Sequence, residues 1–280
     1  MINYQQSIKN LEKISNELRL RIVELTYLSK KNGAHIGGSL SSVETLVTLY
    51  HSIILNRPNG LEERDRVILS KGHAALGLYC ALESIGLISK EALDTFEDNG
   101  SQFLAHAKRD IMKGLEFSGG SLGLGISYAV GVALACKDKG LNNQIFVLLG
   151  DGECDEGLVW EALMCANNFN LTNFTVIVDY NHLQSDGPTE EVMNLESLHD
   201  KFSAFGFKTI EVDGHSIKDL MVAFNERSEF KPNAIIARTI KGKGVSFMEN
   251  KRTWHHGSLS DTQYKRAIEE LNNWNCTDGE

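Results

Sequence analysis

Hydrophobic residues recur every three or four positions over residues 8–30, as one face of an amphipathic helix requires. The apolar positions of this segment are Ile8, Leu11, Ile14, Leu18, Ile22, Leu25 and Leu28. Asn32 and Gly33 follow, and such residues commonly end helices. The pattern therefore predicts a long amphipathic helix at the start of the chain.

Short apolar runs further along the chain are typical of strands buried on both faces of a parallel sheet. The clearest runs cover residues 67–69, 144–149, 174–179 and 234–240, and a weaker run covers 208–212. Helical patterns lie around them, at 39–55, 73–86, 121–138, 156–169, 194–205 and 216–228, and the last twenty residues suggest a helix with a frayed acidic tail. This alternation predicts an α/β fold with three αβα layers and a mainly parallel sheet.

Composition limits the number of domains and the classes of partner that we expect. The chain has 280 residues, of which 42% are hydrophobic, and it has only three prolines and no repeat, so we expect one domain over residues 1–280. A formal net charge of −9 argues against nucleic acid or an anionic membrane surface as a partner. The polar N-terminus resembles no signal peptide, and the longest mostly apolar stretch, 122–136, is interrupted by glycines. We expect a cytoplasmic protein.

The five cysteines show neither a CxxC pair nor the spacing of metal ligands. They are Cys80, Cys136, Cys154, Cys165 and Cys276. We interpret them as reduced thiols, mostly in the core. Cys154 lies close to Asp151 and could be more exposed, but a core position is the preferred interpretation.

Polar residues follow two of the predicted strands. Asp151, between two glycines, follows the run 144–149, and Asn181 follows the run 174–179. Ligands of parallel sheets bind beyond the carboxyl ends of the strands, and neighbouring strands lie about 4.8 Å apart. A carboxylate and an amide oxygen suit Mg²⁺, which usually takes its other ligands from phosphate and water. The pair predicts a diphosphate held through a metal, although an isolated Gly-Asp-Gly is more often a simple turn.

Five motifs in order resemble the N-terminal, thiamine diphosphate-binding domain of transketolases. They are "GAHIGG", "SKGH", "GGSLGLG", the Gly-Asp-Gly unit with its asparagine, and "WHHG". The resemblance extends over nearly the whole chain. It implies that family's thiamine diphosphate-binding fold, with thiamine diphosphate and Mg²⁺, or Ca²⁺ or Mn²⁺, as cofactors.

The resemblance also implies roles for individual residues. The metal ligands it implies are Asp151, Asn181 and, through its backbone carbonyl, Leu183. The cofactor contacts it implies are His35, His73, Gly120, Leu122, Gly152, Glu153, Asn181 and one of His255 and His256, which the sequence does not distinguish. The catalytic residues it implies are His35, His106, Glu156 and Glu161, the two glutamates as part of a carboxylate network that reaches a partner chain.

Some of these assignments have alternatives. The segment around His106, "FLAHAKRD", departs from the family's usual Gly-His-Pro. The glutamates could have only a helix-capping role, because the dipole of a helix favours carboxylates near its N-terminus. The histidines could be solvated loop residues. The basic segment 241–244 lies either near the site or in a solvated loop.

We expect no second α/β unit of adequate length in this chain, whereas the resemblance implies that a pyrimidine-binding domain completes the site. We therefore expect the N-terminal subunit of a two-component transketolase, which transfers a two-carbon ketol unit from a ketose or ketose phosphate to an aldose. It would act with a separate C-terminal subunit, in an α₂β₂ assembly. The alternatives are a relative of deoxyxylulose phosphate synthase, a 2-oxo acid dehydrogenase subunit, which the "SKGH" and "GAHIGG" histidines disfavour, and a non-catalytic cofactor-binding subunit.

Overall fold

A parallel five-stranded sheet forms the centre of the computed structural model, which describes residues 4–54 and 61–274. The strands are β1 (Arg66–Leu69), β2 (Ile145–Gly150), β3 (Phe174–Tyr180), β4 (Lys208–Asp213) and β5 (Asn233–Arg238). They are arranged in the order β1-β2-β3-β5-β4, and every neighbouring pair is parallel. All five apolar runs are therefore strands, as predicted. The strand at 234–240 ends two residues earlier than predicted, because residues 239 and 240 leave the sheet.

Helices cover both faces of this sheet. They are α1 (Tyr4–Leu28), α2 (Ile36–Ser41), α3 (Val43–Thr48), α4 (Ala75–Ser84), α5 (Lys90–Leu93), α6 (Leu124–Asp138), α7 (Gly157–Asn168), α8 (Thr189–Val192), α9 (Leu198–Ala204), α10 (Ile217–Asn225) and α11 (Asp261–Asn272). Most of the predicted helices are present with ends shifted by a few residues. The short helices α5 and α8 were not predicted, because four residues are too few to show a period.

The prediction of one helix over 39–55 is wrong. α2 ends at Ser41, α3 begins at Val43, and residues Leu49–Ile53 form a π-helical turn. The Ser42 hydroxyl donates to the carbonyl of Gly38, and the Ser41 hydroxyl donates to Asp179 at 2.7 Å. Serine side chains that bond nearby carbonyls compete with helical hydrogen bonds, so the apolar period of this segment does not produce a continuous helix.

The predicted helix over 194–205 is shorter than expected. The helix α9 covers only Leu198–Ala204, and the Ser197 hydroxyl accepts a hydrogen bond from the backbone N–H of Asp200. A serine in this position is a favourable N-cap. The cap fixes the start of α9 and leaves residues 194–197 outside the helix.

The two faces of the sheet belong to two separate hydrophobic cores. Val67, Leu69, Phe146 and Leu148 pack with α1, α2, α3, α4, α10 and α11. Ile68, Ile145, Val147 and Leu149, the alternate residues of the same strands, pack with α6, α7 and α9. Because successive side chains of a strand point to opposite faces, this division confirms the predicted three-layer αβα architecture.

The cysteines behave as core residues. Cys80, Cys136 and Cys154 are buried, Cys165 is half-buried, and all four are free thiols. Cys154 is fully buried, which supports the core interpretation over the exposed one. Cys276 lies outside the described residues. Among the described helices, none combines the length and the apolar character needed to cross a bilayer.

Candidate functional site

The loops that follow β2 and β3 meet at the carboxyl edge of the sheet. Gly150 pairs with Asp179 in the register of these neighbouring strands, so Asp151 and Asn181 leave the same edge. The Asp151 carboxylate accepts hydrogen bonds from the His182 N–H at 2.6 Å and from the Thr189 hydroxyl at 3.2 Å. The structure thus brings the two loops into direct contact.

The amide of Asn181 is held on both sides. Its Nδ2 group donates to Asp179 Oδ2 at 3.0 Å, and its Oδ1 atom accepts from the Leu183 N–H at 3.2 Å. This arrangement fixes the direction of the amide, so that its oxygen lies on the side of the loop that carries Leu183. The three predicted metal ligands, Asp151, Asn181 and Leu183, therefore belong to two loops that are in contact. Their role as ligands stays a prediction.

Asp151 is only 2% exposed. Burial and the nearby negative charge of Asp179 raise the pKa of its carboxyl to about 6. A divalent cation would relieve both effects, because it replaces lost solvation and offsets the repulsion between the two carboxylates. The carboxylate of Asp151 thus has the environment of a metal ligand.

A buried ion pair between Lys71 and Asp179 lies beneath these loops. The Lys71 ammonium also donates to the Gly38 carbonyl and to the Ser42 hydroxyl, at 3.2 and 3.1 Å. Burial alone would raise the pKa of Asp179, but the charge of Lys71 and the hydrogen bonds from Lys71, Thr239 and Ser41 together lower that pKa. Neither residue was assigned to the site from the sequence. The available signal for Asp179 was a charged residue near the end of an otherwise apolar strand, and Lys71 lies two residues after another strand.

Five of the nine histidines form one cluster, in which four surround His35. The ring centroid of His35 lies 6.0 Å from that of His73, 5.3 Å from His106, 5.5 Å from His255 and 4.6 Å from His256. His255 also packs on His73 at 5.1 Å and is half-buried, whereas His256 is exposed. Every histidine singled out from the sequence thus belongs to one cluster.

The rings of His35, His73 and His255 are held in their neutral form. Burial, together with the neighbouring histidines, lowers the pKa of His35 to about 3. Burial and Lys241 lower the pKa of His255 to about 4, and burial and Lys71 lower that of His73. The Nδ1 atom of His35 is buried and has no hydrogen-bond partner among the residues that the structure describes. Buried polar atoms are rarely left unpaired in proteins, so this atom is suited to contact a bound ligand.

Lys241 is the second lysine of the site. Its ammonium donates to the Leu183 carbonyl at 2.9 Å and lies 3.0 Å from His255 Nδ1. Burial and the charge of Lys71 lower its pKa to about 8. Lys241 is 2% exposed, so the interpretation of this segment as a solvated loop is wrong for Lys241. Two buried lysines next to neutral histidines make the site favourable for a polyanion such as diphosphate.

Glycines let three segments approach one another at the edge of the site. A Cβ atom on Gly72 would lie 2.6 Å from the backbone nitrogen of Gly120, and one on Gly38 would lie 3.1 Å from the His73 ring. Gly120 has a φ of 140° and lies beside His106. The predicted glycine loop, which also carries the half-buried Leu122, is therefore part of the wall of the site.

The three glutamates of the predicted site have different environments. Glu153 is buried, and its carboxylate accepts hydrogen bonds from the Ser70 hydroxyl and from the N–H groups of Gly123 and Gly150. It therefore ties the glycine loop to β1 and β2. Glu156, the residue before α7, and Glu161 are both exposed. Gly152 packs against Gln184, where a Cβ atom would lie 2.6 Å from the side chain.

The donor set fits a divalent ion that shares its coordination with a phosphate. It comprises one carboxylate, one side-chain amide and one backbone carbonyl, all oxygen donors of the kind Mg²⁺ prefers. Within residues 4–54 and 61–274, no group of three or more His, Cys, Asp and Glu residues could hold a metal ion. A metal at this edge would thus depend on amide, carbonyl or external oxygens beside the carboxylate of Asp151.

Several known proteins are similar to this chain over most of its length. Residues 12–277 match the family described as "Transketolase, thiamine diphosphate binding domain". The chain is 41% identical over 268 residues to an apulose-4-phosphate transketolase subunit of Phocaeicola vulgatus, covering 94% of each chain. It is also 41% identical over 256 residues to the 6-deoxy-6-sulfo-D-fructose transketolase subunit SqwG of a Clostridium species, covering 90% of this chain and 93% of the relative.

Longer proteins match over part of their length. The chain is 31% identical to human transketolase over 271 residues, which is 95% of this chain and 43% of the human protein. The crystal structure of transketolase from Campylobacter jejuni superposes with a TM-score of 0.87 at 29% identity, over 95% of this chain and 43% of that one. The similarity therefore covers less than half of each of these two longer chains.

Proposed function

We propose that this chain, which belongs to the transketolase thiamine diphosphate-binding family, is the N-terminal subunit of a two-component transketolase. The two relatives of similar length are both named as transketolase subunits. The observation that carries the proposal is the meeting of Asp151 and Asn181 at the edge where five histidines gather. The enzyme would transfer a two-carbon ketol unit from a ketose to an aldose.

The polar groups at this edge would hold the cofactor and its metal. Asp151, Asn181 and the Leu183 carbonyl would bind a divalent ion, with Mg²⁺ as the preferred one. The Leu183 carbonyl already accepts from the Lys241 ammonium, so this oxygen is directed at a cation. His73, Lys241 and the first residues of α7 supply positive charge or N–H donors for a diphosphate.

The adjacent histidines 255 and 256 differ in a way that favours one assignment. His255 contacts Lys241 and packs on His73, whereas His256 packs on His35 and is exposed. We therefore assign the diphosphate contact to His255. His256 then lies on the solvent side of His35, with His106, where a sugar would enter.

Bound thiamine diphosphate would supply the electron sink for breaking the ketose carbon–carbon bond. The protein's contribution at this point is a set of imidazoles. The neutral ring of His35 can donate one hydrogen bond and accept another at the hydroxyls of a sugar, because a neutral ring has one N–H and one free nitrogen. The ring of His106 lies beside it and would contact the same hydroxyls. The glycine loop, with Gly120 and Leu122, would lie against the cofactor rings, since glycine allows close backbone approach.

Glu156 and Glu161 are the residues that we expect to face a partner subunit. Both are exposed carboxylates, Glu156 just before α7 and Glu161 in its first half, and Glu156 lies beside Gly123 of the glycine loop. We propose that they face the separate C-terminal subunit, with whose carboxylates they share protons. The complete enzyme would be an α₂β₂ assembly, and its mass by light scattering would distinguish it from a simple αβ pair.

The sugar substrates are proposed by class only. One relative is named for a sugar phosphate and the other for a sugar with a sulfo group. We therefore propose a ketose donor that carries an anionic terminal group. A panel of phosphorylated, sulfonated and neutral ketoses would identify the donor, and preference for the neutral sugars would contradict this assignment.

Reconstitution tests the whole proposal. The purified chain, the separately encoded C-terminal subunit, Mg²⁺ and thiamine diphosphate should together transfer a ketol unit, whereas neither of the two chains should do so by itself. Absence of turnover with every ketose in the panel would contradict the transketolase assignment. Decarboxylation of pyruvate by the same mixture would favour a synthase of the deoxyxylulose phosphate type, and lack of cofactor binding would favour a non-catalytic subunit.

A further inference from the structure

A second cluster of buried charges lies outside the candidate site. The Arg19 guanidinium on α1 forms an ion pair with Glu44 on α3 at 2.5 Å, and both side chains are almost fully buried. The other carboxylate oxygen of Glu44 lies 2.9 Å from His215 Nδ1. Glu44 thus contacts two side chains, those of Arg19 and His215, that are far apart in sequence.

Both partners of Glu44 bind the loop of residues 240–244, called here the lysine loop. The backbone N–H of Ile240 donates to His215 Nε2 at 2.8 Å. The Arg19 Nε group donates to the carbonyl of Lys243 at 3.1 Å. Because Nε2 of His215 accepts a hydrogen bond, its proton must be on Nδ1, where it is donated to Glu44. The carboxylate therefore also fixes the tautomer that the lysine loop requires.

Lys241 lies between these two attachment points. Its aliphatic stem passes Gly37, where an added Cβ atom would lie 3.1 Å from Lys241 Cγ, and the N–H of Gly242 donates to the Gly37 carbonyl at 3.0 Å. The stem is thus guided from the lysine loop towards Leu183 and His255. A shift of the loop backbone would move the ammonium directly.

We propose that Glu44, Arg19 and His215 form a positioning network that holds the lysine loop and so aims Lys241 into the site. None of the three is among the residues assigned above to the cofactor or its metal. Their effect passes through two backbone hydrogen bonds, one on each side of Lys241. The consequence of this inference for the cofactor rests on the proposed function, whereas its consequence for the loop backbone does not.

Amide hydrogen exchange of the purified chain tests the network without any activity. His215→Phe removes the acceptor of the Ile240 N–H, so exchange in residues 240–244 should become at least about tenfold faster, as expected when a buried hydrogen bond of about 1.5 kcal/mol is lost. His215→Gln keeps an oxygen near the position of Nε2 and should retain most of the protection. Glu44→Gln should accelerate exchange at the same segment.

A matched control distinguishes positioning from general destabilisation. Glu83 is paired with Arg21, another arginine of α1, and in the described part of the chain its carboxylate forms no hydrogen bond or ion pair with the lysine loop. Glu83→Gln should lower stability without accelerating exchange selectively in residues 240–244. Equal exchange in the lysine loop of His215→Phe and the unmodified chain would overturn the inference.

Cofactor binding provides the second readout. Calorimetry with Mg²⁺ and thiamine diphosphate should show at least about fivefold weaker binding for Glu44→Gln and His215→Phe, with less change for His215→Gln and none for Glu83→Gln. In the reconstituted enzyme the loss should appear at saturating sugar as a changed cofactor requirement rather than a changed sugar KM. These measurements use the chain together with its C-terminal partner subunit. If the complex with the unmodified chain binds no cofactor, the proposed function fails; if Asp151→Ala alone weakens binding, only the network fails.

Discussion

Lys71 and Asp179 form an almost fully buried ion pair directly beneath the loop that carries Asn181. They are 108 residues apart in sequence. Asp179 also accepts from the Ser41 hydroxyl and from the Asn181 amide. One carboxylate therefore connects α2, the end of β1 and the end of β3, which are three of the segments that surround the candidate site.

Removal of Lys71 should destabilise the chain strongly. Lys71→Met leaves the Asp179 carboxylate buried without its cation, a change that typically costs about 3–5 kcal/mol. Lys13→Met is the control, because Lys13 pairs with Glu17 on the surface, where the side chains are 75% and 58% exposed, and such pairs contribute little. Urea unfolding of both variants measures the difference. Similar midpoints would show that the buried pair contributes no more than a surface pair.

Asp151→Ala should abolish metal-dependent cofactor binding. Asp151 is the charged member of the proposed donor set, so without it Mg²⁺ should no longer strengthen thiamine diphosphate binding measured by calorimetry. Asp155→Asn, in the same turn, is the control, because Asp155 accepts from Gln184 and is not among the proposed ligands. Normal Mg²⁺ dependence in Asp151→Ala would refute the metal assignment.

The pH dependence of stability should identify the charge of Glu44. Burial alone would raise its pKa, but Arg19 and His215 lower it below the ordinary value of 4.5. A lowered pKa gives stability that is present above pH 4.5 and is lost as the pH falls through the native-state value. The stability of the unmodified chain and that of Glu44→Gln should therefore differ most at pH 7 and converge as the pH falls below 4.5. A constant difference across this range would contradict the ionised form.

His35 should remain neutral over the physiological range, because burial and the surrounding histidines lower its pKa to about 3. NMR of the ring nitrogens should show no protonation of His35 between pH 8 and pH 5. The His35→Gln variant identifies the resonances by their loss. A midpoint near 6.5 for these signals would mean that the ring is solvated and that the cluster is open.

Gly72→Ala should disturb the site through the backbone. The added Cβ would lie 2.6 Å from the nitrogen of Gly120, so the glycine loop must shift at a cost of about 1–3 kcal/mol. Gly131→Ala on α6 is the control, because nothing lies within 4 Å of its Cβ position and alanine favours a helix. Thermal unfolding and cofactor affinity should both fall for Gly72→Ala. Unchanged values would show that the loop has room to spare.

The sequence by itself determined the layers of the fold and the place of the site. Apolar periods and buried runs predicted the strands correctly, because burial of a face depends on local spacing. The positions of Asp151 and Asn181 followed from strand ends, and the histidine set came from the family resemblance. The division of 39–55 into α2 and α3 was missed, since the serines that interrupt it bond to partners such as Asp179.

Only the tertiary structure decided which charges meet. Lys71 with Asp179, Lys241 with Leu183, and Glu44 with His215 are separated by 108, 58 and 171 residues, and no local pattern relates them. Their pairing depends on the order β1-β2-β3-β5-β4, which places distant loops at one edge of the sheet. Burial then makes these contacts strong, because a charge removed from water requires a partner wherever the fold provides one.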